Sequence, residues 1–560
     1  MKTEQLHSGA AAGLRQLLPP WPIFAGFVAL ALFMLMEVFS YASFGPELAY
    51  FYEINAKLTF RDVLHTYLEF DQSWYRPSAF YTPYFFVSKL FGWHHLVIWK
   101  AATFFTLLAT CWALYAFTLL LFPRQHLGAF LACVYLAGHP AVYLPLFEIS
   151  AFDFLYLFFV LAAVIGFLLA WRERGTRALL YNSAAVLSYV LALTSKESSI
   201  LTPFYLAAAS AVLLYAGRAE GPAAPRIRKA ARLLAPHFAV FALYVALHVA
   251  QMPTRPVDAD YRTQPNLTRM LVNSTKYPLW MAHLFQGNES VLTYVYEQAT
   301  IENNLFGYTV LALALFQWTV DTRKRIHRAE GILLVLWIPI FLAVPIYAGA
   351  YLWHINLALC GYAVFAGVAL ARLAARLSQW QCRIAVASLL FVCLVLTRKD
   401  VHHALYFGIH SPAFRINNAS LFVHPPVPRE KMGTAPYILI ENPQNLHGWY
   451  FGSGNLFALV YDLPDARQTE APPLNQVPPE RCLDWLRRKQ AFFFRYDENY
   501  RWHDATAEFT RHALAQIAPY SEKLLAEHRN KELAAALAPV AARHPENAEI
   551  QRYYQRALGR

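Results

Sequence analysis

FDFLYLFFVLAAVIGFLLAWRERG, residues 152–175, decides the class of this chain. From Phe154 to Trp171 nothing is charged, while Asp153 stands before the run and Arg172, Glu173 and Arg174 follow it. A helix rises 1.5 Å per residue and crosses the hydrocarbon core of a bilayer in roughly 20 residues. The stretch is therefore a membrane span with a carboxylate at one mouth and basic groups at the other. Working outward, ten more apolar runs of this kind appear, near 21–42, 95–122, 127–146, 178–194, 198–217, 233–251, 306–321, 331–350, 354–373 and 383–398. The expected fold class is an all-α polytopic membrane protein of about 11 transmembrane helices.

The bulk numbers agree. The 560 residues are 57% hydrophobic and only 15% charged, against about 25% charged in soluble proteins. The net charge of +12 invites a nucleic-acid reading, but its placement gives another reason. Arg124, the group Arg172, Arg174 and Arg177, the group Arg218 to Arg232, the cluster Arg323 to Arg328, and Arg372, Arg376 and Arg383 fall in alternate connections. The opposite turns, 143–151 and 350–353, carry no Lys or Arg. Basic connections stay on the cytoplasmic side. The expectation is a multi-pass protein of the bacterial inner membrane, with residues 1–20 cytoplasmic and the C-terminus periplasmic. Its partners would be membrane lipids, with no nucleic acid. The first span is longer than a secretory signal's apolar region and lacks a small-x-small cleavage site, so it reads as retained. The six cysteines form no C-x-x-C or Cys/His pattern, which supports neither a zinc site nor a disulfide framework.

The expected organisation is a transmembrane domain over 21–400, with long outer loops at 43–94 and 252–305, then a periplasmic soluble domain over 401–560. The C-terminal region reads as a small α+β unit. Tyr437–Glu441 and Ala491–Tyr496 have strand character, 425–428 and 472–479 are proline-rich links, and helices run from about 505 to 558. Glu532–Leu558, turning at His544-Pro545, is similar to one tetratricopeptide hairpin, which needs neighbours to bury its apolar face. It is expected to pack on the rest of the domain.

Three local patterns follow one another along the outer side. They are Asp71-Gln72-Ser73-Trp74-Tyr75-Arg76-Pro77, running on to Leu90-Phe91-Gly92; His139-Pro140 followed by Glu148-Ile149-Ser150-Ala151-Phe152-Asp153; and Leu191-Ala192-Leu193-Thr194-Ser195-Lys196-Glu197. In this order they resemble the GT-C-fold glycosyltransferases that take sugar from a polyprenyl-phosphate carrier. The nearest likeness is to bacterial relatives of the protein O-mannosyltransferases and of the transmembrane tetratricopeptide mannosyltransferases. The likeness covers residues 21 to about 400. The family's aspartate after the first span is absent, since Ser43-Phe44-Gly45-Pro46-Glu47-Leu48 stands there, and its His-x-x-Asn is missing after His94-His95.

The resemblance implies inverting displacement at an anomeric carbon. A carboxylate takes the acceptor's proton, and fixed cations stabilise the leaving lipid phosphate. Glu47, by its position after the first span, Asp71 and Asp153 are the candidate catalytic acids. Each also has a plainer reading: a solvated loop glutamate, a turn aspartate and an interfacial helix start. A carboxylate at the centre of a span costs on the order of 2.5–3.5 kcal/mol. Glu37 is a weaker substitute for the missing acid. Arg76 is a bidentate phosphate ligand or a partner of Asp71 or Glu69. Lys196 and Glu197 bind substrate or pair with each other to fix a turn between spans. Arg255, Arg262 and Lys276 are phosphate candidates or ordinary headgroup contacts, and His354 is a ligand or a packing group. Asp258-Ala259-Asp260 is an acidic loop more readily than a metal site, so no metal and no cofactor beyond the polyprenyl-phosphate sugar donor is expected. The acceptor, whether protein, lipid or glycan, stays open. Two other functions compete: a non-catalytic GT-C-like scaffold whose outer domain binds partners, and a secondary transporter. The absence of internal repeats ranks the transporter last.

Overall fold

The computed structural model describes residues 20–40, 48–49, 52, 55–68, 77–147, 154–216, 223–251, 267–284, 301–324, 328–348, 355–410, 415–418, 420–444 and 455–559. The chain divides into two compact units, Met1–Tyr41, Thr59–Val87 and Val97–Gly408 forming one, and Ala42–Leu58, Ser88–Leu96 and Ile409–Arg560 the other.

The first unit is a helical bundle. Its helices are α1 (Trp21–Ser40), α2 (Phe60–Thr66), a π-turn at Pro77–Tyr81, α3 (Thr82–Phe91), α4 (Leu96–Leu121), α5 (His126–Gly138) and α6 (Pro140–Phe147). Then come α7 (Phe154–Arg172), α8 (Gly175–Leu193), a 3-10 turn at Glu197–Leu201, α9 (Thr202–Ala216), α10 (Ala223–Gln251) and α11 (Leu267–Met281). The last are α12 (Ile301–Arg323), α13 (Arg328–Ala348), α14 (Asn356–Ala374) and α15 (Gln379–His410). Among the described residues nine of these helices are long and apolar enough to cross a bilayer, so the protein is a multi-pass membrane protein. Two expected spans fall short, for different reasons. The run 127–146 is broken into α5 and α6 at His139-Pro140, because proline lacks the N–H a continuing helix needs. α12 has sufficient length, 23 residues, but carries Asn303, Gln317 and Asp321 along it.

Lipid offers helices no hydrophobic reason to associate, so small residues and polar links hold such bundles together. α5 and α14 meet at Gly128 and Gly367. A methyl placed on Gly367 would stand 2.6 Å from both the Ala132 nitrogen and the Gly128 oxygen. Basic side chains complete helix ends whose last carbonyls lack internal partners. Arg172 donates to Leu120 O at the end of α4 (2.7 Å), Lys229 to Trp171 O and Glu173 O at the end of α7, and Arg226 to Leu213 O and Leu214 O near the end of α9. Arg372 and Asp321 form a buried ion pair at 2.7 Å.

The second unit holds β1 (Tyr437–Glu441), α16 (Leu456–Tyr461), β2 (Arg467–Ala471), α17 (Pro479–Leu486), β3 (Ala491–Tyr496) and β4 (Trp502–Asp504), then α18 (Thr506–Ala515), α19 (Ile517–Ala526), α20 (Asn530–Arg543) and α21 (Ala548–Ala557). The sheet order is β2-β1-β3-β4, with β1 parallel to β2 and β3 and with β4 antiparallel. Ile438, Leu439 and Ile440 are all fully buried, which needs cover on both faces of the sheet. α16 covers one face, Phe457 lying 4.6 Å from Phe494. On the other, Phe509 of α18 stacks on Phe493 at 4.4 Å. β1 and β3 are the two strands expected from the sequence. α20 and α21 are the expected helical pair, and Leu533, Leu537, Val540, Ile550 and Tyr553 join the same core.

Two boundaries differ from the sequence reading. Residue 401 lies inside α15, which continues to His410. The first outer loop does not belong to the membrane unit as a whole, because residues 42–58 and 88–96 group with the second unit and only 59–87 with the first.

Candidate functional site

The motif Thr194-Ser195-Lys196-Glu197 is the turn between α8 and the 3-10 segment that opens α9. Hydroxyls abound here and bond nearby carbonyls: Ser195 Oγ donates to Leu191 O at 2.7 Å and Thr202 Oγ1 to Ser199 O at 2.7 Å, while Ser199 Oγ reaches back to Ala192 O of α8 at 3.0 Å. Such local bonds let polar side chains sit in a dry bundle. Lys196 has extended backbone (φ −161°) and only 3% exposure. Its Nζ lies 5.2 Å from the ring centroid of Tyr156 on α7, a cation–π geometry. Glu197 is half-buried at the head of the 3-10 segment.

The first outer loop reaches this turn. Ser78 N–H donates to Thr194 O at 3.0 Å, and the Ser78 and Thr194 hydroxyls share a hydrogen bond at 2.7 Å. Tyr67, just past α2, links its hydroxyl to Ser78 Oγ at 2.9 Å and to Thr82 Oγ1 at 2.8 Å. Ser78 follows Tyr75-Arg76-Pro77 directly, and Thr194 precedes Ser195-Lys196-Glu197 directly. Tyr156 stands three residues past Asp153. The described flanks of all three sequence patterns thus meet in one place. Glu47, Asp71, Arg76, Asp153, Arg255, Arg262, His354 and the pair Asp258 and Asp260 lie outside the described residues.

The remaining predicted residues sit elsewhere in the membrane unit. Lys276 of α11 places Nζ 4.3 Å from the Trp280 ring. His139 of the second pattern is a packing group: its Nε2 donates to Trp280 O at 2.9 Å, and its Nδ1 accepts from Ala141 N–H at 3.1 Å. With Tyr135 donating to Met281 O at 2.6 Å, it pins the end of α11 to α5. Glu37 of α1 pairs with Arg398 of α15, and His402 lies 3.5 Å from its second oxygen. Two neighbours of Arg398 hold α12: Lys399 bonds Glu302 at 2.7 Å, and Asp400 accepts from Asn303 at 2.9 and 3.0 Å. Glu37 is therefore part of a three-helix clamp.

One buried cation escaped the sequence reading. Lys100 of α4 is 2% exposed and donates to Val38 O in the last turn of α1 at 2.9 Å. A lone lysine inside the apolar run 95–122 was the available signal.

Among solved structures the chain is similar to the apo form of the Archaeoglobus fulgidus oligosaccharyltransferase, with 12% identity and a TM-score of 0.48. The alignment covers 82% of this chain and 65% of that one, so the chain spans less than two thirds of the neighbour. No family model matches the sequence, and no curated protein does.

Proposed function

We propose that this chain is a GT-C-type integral-membrane glycosyltransferase. It moves a sugar from a polyprenyl-phosphate carrier to an acceptor on the periplasmic side of a bacterial inner membrane, with inversion and a carboxylate base. The observation that carries the reading is the hydrogen-bonded junction of Tyr67, Ser78 and Thr194. It ties the segment after Asp71 and Arg76 to the turn that bears Lys196, beside the helix that follows Asp153. Motifs distant in sequence have no packing reason to share both chemistry and location, so their junction favours a site over three unrelated structural turns.

In this reading Asp71, Asp153 or Glu47 removes the acceptor proton, and Arg76 with Lys196 stabilises the leaving phosphate. Glu197, Arg255, Lys276 and His354 are the remaining candidate contacts. The N-terminus is cytoplasmic and the second unit periplasmic. A scaffold function has one observation in its favour: Lys196 is nearly sealed from solvent against Tyr156, as a structural cation would be.

The deciding experiment reconstitutes the full chain in proteoliposomes with a labelled polyprenyl-phosphate hexose and measures sugar release and transfer. Asp71→Asn, Asp153→Asn and Glu47→Gln are compared one at a time. Loss of the base lowers transfer by about 10²-fold or more at unchanged protein level. If none of the three lowers it, the mechanism is wrong. If the purified chain neither carries nor binds polyprenyl phosphate, the scaffold reading replaces it.

A further inference from the structure

Within the membrane unit, α1, α4 and α5 leave a groove of about 290 Å³ between them. Aromatic rings form its walls: Phe24 of α1 lies 5.1 Å from Trp112 of α4, and Phe27 of α1 lies 6.4 Å from Phe130 of α5. Cys111 and Cys133, 0% and 3% exposed, form its floor. They are small where neighbouring positions of the same helices carry leucine or phenylalanine, and the space follows from that. Both thiols are already engaged, Cys133 Sγ donating to Cys111 O at 3.0 Å and Cys111 Sγ to Cys133 O at 4.0 Å. The hydroxyl of Tyr115, also in the wall, shares a hydrogen bond with His126 Nδ1 at 2.7 Å. What the groove offers a guest is therefore hydrocarbon and ring surface.

Its depth and its mouth say what the guest is. The groove lies in the first two turns of α1, at the far end of that helix from the Lys100 contact with Val38. At 1.5 Å per residue, Tyr115 stands roughly 9 Å inside the end of α4 at Leu121, where a lipid chain begins. The mouth is the connection from α4 to α5. There Arg124 is exposed and holds the left-handed backbone conformation (φ 69°), which a residue with a Cβ adopts at a cost. His126, two residues on, ties this connection to the groove wall through Tyr115. Arg172, at the same end of α4, already donates to Leu120 O, which leaves Arg124 as the basic group facing outward. α1 is also the helix with surface to cover: 28% of its apolar window is buried, against 72% for α4.

We propose that this groove is a lipid site, which seats part of one hydrocarbon chain of an anionic phospholipid with the lipid phosphate on Arg124. Its volume of about 290 Å³ lies at the lower edge of the roughly 300–1,000 Å³ of ligand sites. One chain segment enters, and the second chain stays in the bilayer. Charge selects the occupant, because a basic residue at the membrane surface attracts anionic headgroups, while hydrocarbon contact alone selects none. The seated chain fixes the start of α1 against α4 and α5. None of this rests on the transferase reading.

The test uses the full-length protein in nanodiscs and a phosphatidylglycerol that carries a photoactivatable diazirine in one chain. Irradiation should label α4 and α5 around Trp112 and Phe130 more heavily than α10 and α15, whose apolar windows are only 17% and 6% buried and meet the bilayer directly. Unlabelled phosphatidylglycerol should compete. Phosphatidylethanolamine should compete roughly fivefold less well, the effect of one basic residue at an anionic surface. Arg124→Gln should remove that preference and leave the labelled positions unchanged. Cys133→Leu fills the floor and should abolish labelling at Trp112 and Phe130. The proposal is overturned if label spreads over α10 and α15 as densely as over α4 and α5. It is overturned too if the two lipids compete equally in the wild type, as passive filling by any chain would give, or if Arg124→Gln keeps the preference. Should Cys133→Leu fail to fold, the competition with and without Arg124 decides.

Discussion

The two units solve the same problem, how to keep polar groups inside a fold, in opposite ways. In the membrane unit hydroxyls turn back onto their own helix: Thr106, Thr110, Thr118, Ser195 and Ser210 each donate to a carbonyl three or four residues earlier. Other polar groups link one helix to the next, as at Arg372–Asp321 and the Glu37, Arg398 and Asp400 clamp. In the second unit polar groups pair across strands and loops, as where Arg495 of β3 joins Glu441 of β1 and Glu508. The contrast follows from the solvent. A helix satisfies its backbone locally and tolerates hydrocarbon, while apolar burial alone already holds a sheet with helices on both faces.

If this contrast is right, the units should fail differently. The largest effect belongs to the α5–α14 contact. Gly367→Leu forces side-chain atoms into backbone 2.6 Å away, and the bundle should not assemble, seen as loss of the monodisperse peak on size exclusion in detergent. Phe493→Ala should cost about 3–5 kcal/mol in the second unit, with faster exchange in β1 and β3 and no change in α5 or α14. Asp321→Ala strands the buried Arg372 and should cost about 3–5 kcal/mol, read as a lower midpoint of thermal unfolding in detergent. Adding Arg372→Leu should recover most of it, and if it does not, the pair does more than neutralise itself. The smallest effect concerns pH. Backbone donation from Arg501, with help from His503 and Asn499, holds the Asp497 carboxyl below its usual value. A depressed carboxylate stabilises the fold above its unfolded pKa of about 3.9, and the gain is lost as pH falls through the lower folded value. Asp497→Asn should therefore lower the second unit's stability slightly at neutral pH and flatten the acid limb of its unfolding curve below about pH 4, so that variant and wild type converge in acid.

The pattern of legibility follows the same division. Spans such as 154–171 announce themselves, because an apolar run of that length has one stable state in lipid. β1 and β3 were readable from their β-branched and aromatic runs. β2, Arg-Gln-Thr-Glu-Ala, was not, since an edge strand of polar residues owes its state to β1 beside it. The partner of Lys100 was not legible, because a single lysine in an apolar run says nothing about which carbonyl it will meet.

From composition and periodicity alone followed a multi-pass protein, its chain of helices, two of its strands and the helical pair at its end, since each depends on residues near one another in sequence and on the medium around them. Tertiary structure alone decided that Ser78 meets Thr194 across more than a hundred residues and that Tyr52 and Lys57 meet Asp462 and Asp465. It also decided that Glu37 is spent on Arg398. Pairings of that kind depend on the register in which helices pack, and no local pattern encodes it.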